Sequence, residues 1–242
     1  MRALILGIWK YATKRGLTNI SITSFFGDIE IPKKLFQRHK ISDEEAVFTD
    51  DEVAKIFDYI AGHPENLVNY GILLAFQTGL RVGELATLKP GDVQGNILHI
   101  RRTEIIYRDE TGKYVYEVRE SPKTEAGNRD VILTPEALRI LKQIRRMNPF
   151  GEYMFMLKGN RIKEKTFSNK LRKICEHVGI RPRSIHQVRK TYASKLLQAK
   201  VDAQTIIRQM GHESLSTTVN NYYYNTVSKQ EAERQIAMAV CY

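Results

Sequence analysis

Apolar residues recur at helical spacing through most of this chain and give way to a strand-like pattern only in its middle. Val53, Ile56, Phe57 and Ile60 share one face of a 3.6-residue period. The preceding Thr49-Asp-Asp-Glu52 reads as a capping box, with Glu52 reaching back to the helix start. A second helix is expected from about Asn66 to Gln77, with Gly79 marking its end. A short one begins at Arg81 and runs toward Leu88, where Pro90-Gly91 stops it. From Asn96 the character changes. Ile97 to Tyr107 and Tyr114 to Val118 are rich in β-formers and are joined by the turn Asp109 to Lys113. A third strand, Arg129 to Leu133, follows the loop Ser121 to Asn128. Helices then resume. Thr134-Pro135 supplies an N-cap with proline at the first helical position. Phe167, Leu171, Ile174 and Val178 form a stripe closed by Gly179. Val188, Tyr192 and Leu196 stripe another helix, and Asp202 caps one carrying Ile206, Ile207 and Met210. The expected fold class is α+β, mostly helical, with a small antiparallel sheet.

The first residues stand apart from this pattern. Met1 to Gly16 reads as a helix able to bury Leu4 and Ile8 along one side. A polar stretch through Pro32 and the cluster Lys33, Lys34, Arg38 and Lys40 reads as a linker. A single helix has no core of its own, so its apolar side is expected to meet something outside residues 1–45. The main domain is placed at residues 46–242, including a tail whose Lys229 to Ala239 segment has helical character.

Charge narrows the choice of partner. Lys and Arg outnumber Asp and Glu by 38 to 27, a net charge of +11, which favours a polyanion through counterion release. The two cysteines, Cys175 and Cys241, have neither metal-ligand nor disulfide-framework spacing, which suits a reducing cytoplasm. The apolar run Ala3 to Trp9 is too short to span a bilayer and lacks a following cleavage site, so no membrane association is expected. HExxH, P-loop and GxGxxG patterns are absent, so neither a metal nor a nucleotide cofactor is expected.

The candidate chemistry lies in short phrases. Arg81, in Thr78-Gly-Leu-Arg-Val-Gly-Glu-Leu85, and Arg189, in His186-Gln-Val-Arg189, are two guanidinium forks. Together they could bind the non-bridging oxygens of a phosphodiester and hold the added charge of a pentavalent transition state. Each arginine alone would more often be a solvated charge on a helix surface. Glu84, three residues after Arg81, could orient it or be an ordinary surface pair. His186 and His212 could move a proton or hydrogen-bond a phosphate oxygen. Lys123, in the loop between two expected strands, could protonate a leaving oxygen. Tyr222, Tyr223 and Tyr224 are candidate nucleophiles or packing aromatics; a tyrosine with an ordinary pKa near ~10 needs a base or an electropositive site to attack.

Four ordered phrases carry a resemblance to a known family. TGLRxGEL (Thr78 to Leu85), Pro122-Lys-Thr124 followed by Arg129-Asp-Val-Ile-Leu133, HxxR (His186 to Arg189) and GHxSxxTT (Gly211 to Thr218) resemble the catalytic domain of tyrosine recombinases, the phage integrase family, over roughly residues 46 to 230. The flavour is that of integrases of conjugative transposons and Gram-positive phages. The resemblance implies that Arg81, Lys123, His186, Arg189 and His212 activate a phosphate. It also implies that a tyrosine forms a 3′-phosphotyrosyl link without metal or nucleotide, as type IB topoisomerases do. Tyr222 stands 222 − 212 = 10 residues after His212, a spacing found in transposon-type members; a spacing of nine would land on Asn221. Tyr223 and Tyr224 remain open. Lys190 replaces a histidine common after HxxR, and Tyr224 replaces another common two residues after the tyrosine. The implied partners are double-stranded DNA, three further protomers in a tetramer on DNA (weakly associated or monomeric without it) and an accessory directionality factor. Residues 1–45 correspond to the last helix and linker of a DNA-clamping core-binding domain, so DNA affinity is expected to be weak. A catalytically inactive DNA-binding regulator and a topoisomerase-like relaxation activity are the alternatives that the fold allows.

Overall fold

The computed structural model describes residues 2–19, 21, 43–120 and 128–211. The chain divides into two compact units, Met1–Ile41 and Ser42–Tyr242. In the first, helix α1 (Arg2–Lys14) forms as the apolar spacing requires. Leu4 and Ile8, on the apolar side, are 67% and 61% exposed. Among the described residues no helix is long and apolar enough to cross a membrane.

The second unit opens on a short helix, α2 (Asp43–Ala46), and the capped helix α3 (Asp50–Ala61). Thr49 accepts from the Glu52 N–H at 3.3 Å while Glu52 accepts from the Thr49 N–H at 2.9 Å, as the capping box predicts. Helix α4 (Leu67–Thr78) is apolar nearly all round, which is the pattern of a helix enclosed by others. It packs against α6 (Pro135–Met147), α7 (Glu164–His177) and α8 (Ile185–Gln198), and supplies Ile72, Leu74 and Ala75 to the centre of the core. Phe155 and Phe167 meet edge to face beside it, their centroids 5.1 Å apart. A smaller cluster of Ala193, Ile206 and Met210 joins α8 to α9 (Ala203–Met210).

Between α5 (Val82–Ala86) and α6 lie strands β1 to β5, in more pieces than the sequence suggests. Strands β1 (Val93–Gln94), β2 (Ile97–Ile100) and β5 (Arg129–Ile132) form an antiparallel sheet in the order β1-β2-β5. Strands β3 (Thr103–Arg108) and β4 (Tyr114–Arg119) form a separate hairpin. The apolar run Ile97 to Tyr107, expected to be one strand, therefore breaks at Arg101-Arg102. The reason lies in Arg102, which bonds Asp92 and the Thr87 carbonyl, and whose guanidinium lies 3.5 Å from Glu120. The two-residue strands β1, β6 (Met156–Leu157) and β7 (Asn160–Arg161) are too short to leave a two-residue alternation in the sequence.

Strand β5 is the outer member of its sheet, and a side chain serves its edge. Gln209, on α9, accepts from the Ile132 N–H at 3.0 Å and donates to the Ile132 carbonyl at 2.9 Å, reproducing with an amide what a neighbouring strand would supply. The same amide nitrogen donates to the Tyr192 hydroxyl at 3.0 Å. One buried glutamine thus ties the sheet, α8 and α9 together.

Candidate active site

The phrase Thr78 to Leu85 folds as a tight passage from α4 to α5. Thr78 returns its hydroxyl to the Leu74 carbonyl at 2.6 Å, and Gly79 ends α4 with φ near 63°, where a side chain would be strained. A Cβ on Gly79 would also lie 2.3 Å from the Tyr192 ring. Leu80 is buried, which turns Arg81 outward at the start of α5. Gly83 admits the β3 backbone: a Cβ there would sit 2.7 Å from the Glu104 carbonyl. Both glycines of the motif are therefore required by close approach.

Glu84 is the electrostatic centre of this passage. Its side chain is only 2% exposed, so the ordinary surface pair allowed by the sequence is corrected to a buried hub. It accepts from the Arg81 N–H at 2.9 Å and from Arg81 Nη1 at 2.8 Å. It also receives both Nη atoms of Arg129, one on each carboxylate oxygen, at 2.8 Å. Burial alone would raise its pKa. The hydrogen bonds and charge of Arg129, followed by the charges of Arg81 and Arg189, overcome this and hold it at about 2.

Arg189 departs further from the usual helix-surface arginine. It is 1% exposed and ranks among the largest fully buried side chains of the molecule. Its Nη1 donates to the Gly79 carbonyl at 2.6 Å and its Nη2 to the Met210 carbonyl. The rest of its phrase explains the placement. Gln187 accepts from the Ser184 N–H at 2.7 Å and donates to the Glu45 carbonyl at 3.0 Å, fixing the start of α8. Val188 enters the core, and His186 keeps an exposed edge. Desolvation of the His186 ring, then the positive charges of Lys190, Arg189 and Arg81, lower its pKa from the ordinary histidine value.

Three arginines converge on the end of α9. Arg129 Nε donates to the Gln209 carbonyl at 3.0 Å, Arg189 to that of Met210, and Arg81 Nη2 to that of Gly211 at 3.2 Å. These are the carbonyls that a helix C-terminus leaves without intrahelical partners, and they lie at the negative end of its dipole. Gly211 takes the left-handed conformation that caps α9. Three guanidiniums against one carboxylate leave the cluster net positive, with Arg81 the exposed member at 45% side-chain exposure. Such an arrangement suits an anion with developing charge.

Of the residues singled out from sequence, the structure brings together Arg81, Arg189 and the charge environment of His186. Lys123, His212 and Tyr222 lie outside the described residues. Arg129 and Gln209 had no assigned role in the sequence reading. A signal for Arg129 was present: it is in phase with Val131 and Leu133, both buried, so strand alternation points it inward, where a cation needs a partner. Among the described residues no cluster of His, Cys, Asp and Glu could hold a metal.

Residues 46–229 match the phage integrase family. The chain is 31% identical over 212 residues to a XerC-like tyrosine recombinase of Caldanaerobacter subterraneus, covering 79% of this chain and 53% of that protein. It is 27% identical over 169 residues to the ICEBs1 integrase of Bacillus subtilis, covering 65% and 45%. The chain thus spans about half the length of these relatives. In fold it is similar to the Tn1549 transposon integrase solved with transposon right end DNA, at TM-score 0.64, 15% identity and 96% and 84% coverage of the two chains. It is also similar to a lambda integrase dimer on a core site, at TM-score 0.64, 17% identity and 94% and 72% coverage.

Proposed function

Because the chain belongs to the phage integrase family, we propose that it is a site-specific recombinase that cuts and rejoins double-stranded DNA of a mobile element through a phosphotyrosine link. The observation that carries this reading is the convergence of Arg81 and Arg189 on adjacent carbonyls at the end of α9, immediately before His212. In the proposed step the phenolic oxygen of Tyr222 attacks phosphorus, forming a 3′-phosphotyrosyl ester, and the bond to the 5′ oxygen breaks. Arg81 and Arg189 hold the non-bridging oxygens, with His186 and His212 beside them. Lys123 gives the departing 5′ oxygen its proton. A 5′ hydroxyl from a partner strand then attacks the ester and restores both the diester and the tyrosine, so bond energy is conserved without a metal or nucleotide.

Four protomers on two DNA sites, and an accessory factor setting direction, complete the proposal. Residues 1–45 are assigned to the last helix and linker of the DNA clamp, the exposed Leu4 and Ile8 being the face it would use. The cell compartment proposed is the cytoplasm.

A duplex nicked just beyond the cleavage point tests this reading, because the released fragment diffuses away and traps the adduct. The expected result is a covalent protein–DNA species resistant to denaturant. Its rate should rise through a midpoint below the ordinary histidine value near 6.5, since burial of the His186 ring and then the positive charges around it favour loss of its proton. A chain joined to its complete DNA clamp that still forms no adduct on its own element's end sequences would overturn the proposal.

A further inference from the structure

Resting on that reading, we propose that Arg129 is a positioning residue for strand cleavage: it fixes Glu84 and the end of α9 in one grip, and so sets where Arg81 meets the phosphate. The geometry argues this in three steps. Both Nη atoms of Arg129 reach Glu84, one to each oxygen at 2.8 Å, so the plane of the carboxylate is set by the plane of the guanidinium. Each of those oxygens also accepts from Arg81, Oε1 from Nη1 at 2.8 Å and Oε2 from the backbone N–H at 2.9 Å. Arg81 is therefore held to a carboxylate that cannot rotate. Finally, Arg129 Nε holds the Gln209 carbonyl at 3.0 Å, two residues before the Gly211 carbonyl that receives Arg81 at 3.2 Å.

Without Arg129 the Glu84 carboxylate would be free to turn both oxygens onto the Arg81 guanidinium. That pairing would satisfy Arg81 internally and draw it off an incoming phosphate. Arg129 itself is 8% exposed and gives both Nη atoms to Glu84, so it acts through its neighbour. Among the described residues, the charged groups acting on Glu84 are Arg81 at the start of its own helix, Arg129 from β5 and Arg189 from α8. A lysine at 129 would keep the charge yet supply one point of contact in place of a fork.

The test compares the full chain with its Arg129→Lys variant in single-turnover cleavage of the nicked duplex across pH, in duplex affinity, and in the carboxyl titration of Glu84 followed by carbon NMR. The expected result is cleavage slowed at least tenfold, affinity within twofold, and a Glu84 midpoint raised by a pH unit or more. Cleavage equal to the parent's across that pH range would overturn the proposal. So would slower cleavage with an unmoved Glu84 titration, which would mark Arg129 as packing alone. If the parent itself forms no adduct, the recombinase reading has failed separately, and the Glu84 titration still decides whether Arg129 governs that carboxylate. Should Arg129→Lys not fold, the double variant Glu84→Gln with Arg129→Met removes both buried charges together. It is expected to fold and cleave slowly, and parental cleavage by it would refute the role.

Discussion

Tyr222→Phe is expected to eliminate the covalent DNA adduct, lowering its rate of formation by about 10^3-fold or more, as loss of a nucleophile does elsewhere. The substitution removes one oxygen, the atom that would bond to phosphorus, and leaves an aromatic ring of nearly the same volume. Folding and duplex affinity should therefore stay near the parent's. Tyr223→Phe and Tyr224→Phe should still form adduct, since the ten-residue interval from His212 selects Tyr222. Mass mapping of the trapped DNA-linked peptide checks the same point directly. An adduct that persists in Tyr222→Phe and disappears in one of the other two would show that the interval has been misread.

The second large effect falls on stability. Glu84→Ala leaves Arg129 buried without its carboxylate, and breaking a buried pair in this way costs about 3–5 kcal/mol. For a unit of this size that corresponds to a melting temperature lower by about 10 °C. The pH dependence follows from the depressed pKa. Glu84 is held at about 2 against an ordinary 4.5, so its contribution is fully present above pH 4.5 and is lost as pH falls toward 2. A difference of roughly 2.5 units amounts to about 3 kcal/mol, in line with the cost of the substitution. Thermal melts of parent and variant from pH 7 to pH 2 should converge at the acid end. A constant gap between the two curves would locate the stabilisation elsewhere.

How far the sequence revealed this arrangement depends on what each residue answers to. Helices such as α3 and α4 were readable because local spacing and caps decide them: Thr49, Glu52 and Gly79 act within a few residues of their own positions. The order of the motifs was likewise enough to nominate Arg81, His186 and Arg189. What stayed hidden was set by distant partners. Arg102 breaks the expected long strand because of Asp92 and Thr87, which no alternation pattern records. Arg189 looked like a surface charge because helical spacing tells which residues share a face, without telling that the face is roofed by Gly79 and Met210. Glu84 and Arg129 are 45 residues apart, and their pairing exists only once β5 lies beside α5. The nomination of Tyr222 rests on counting and on family likeness, and Lys123 and His212 share that footing, since all three fall outside the described residues.

The gathering of three arginines on the carbonyls of residues 209–211 also orders events in time. Arg81 and Arg129 are synthesised well before the helix that collects them, and Arg189 shortly before it, since domains are made from the N-terminal end. Until that last turn is synthesised and docked, Glu84 can hold Arg81 and Arg129, but the carbonyls that gather all three guanidiniums are missing. A half-made chain can hold its long apolar helix and its sheet and still offer no assembled grip for a phosphate. The grip proposed for a phosphate would thus be assembled only after most of the described part of the second unit has been made.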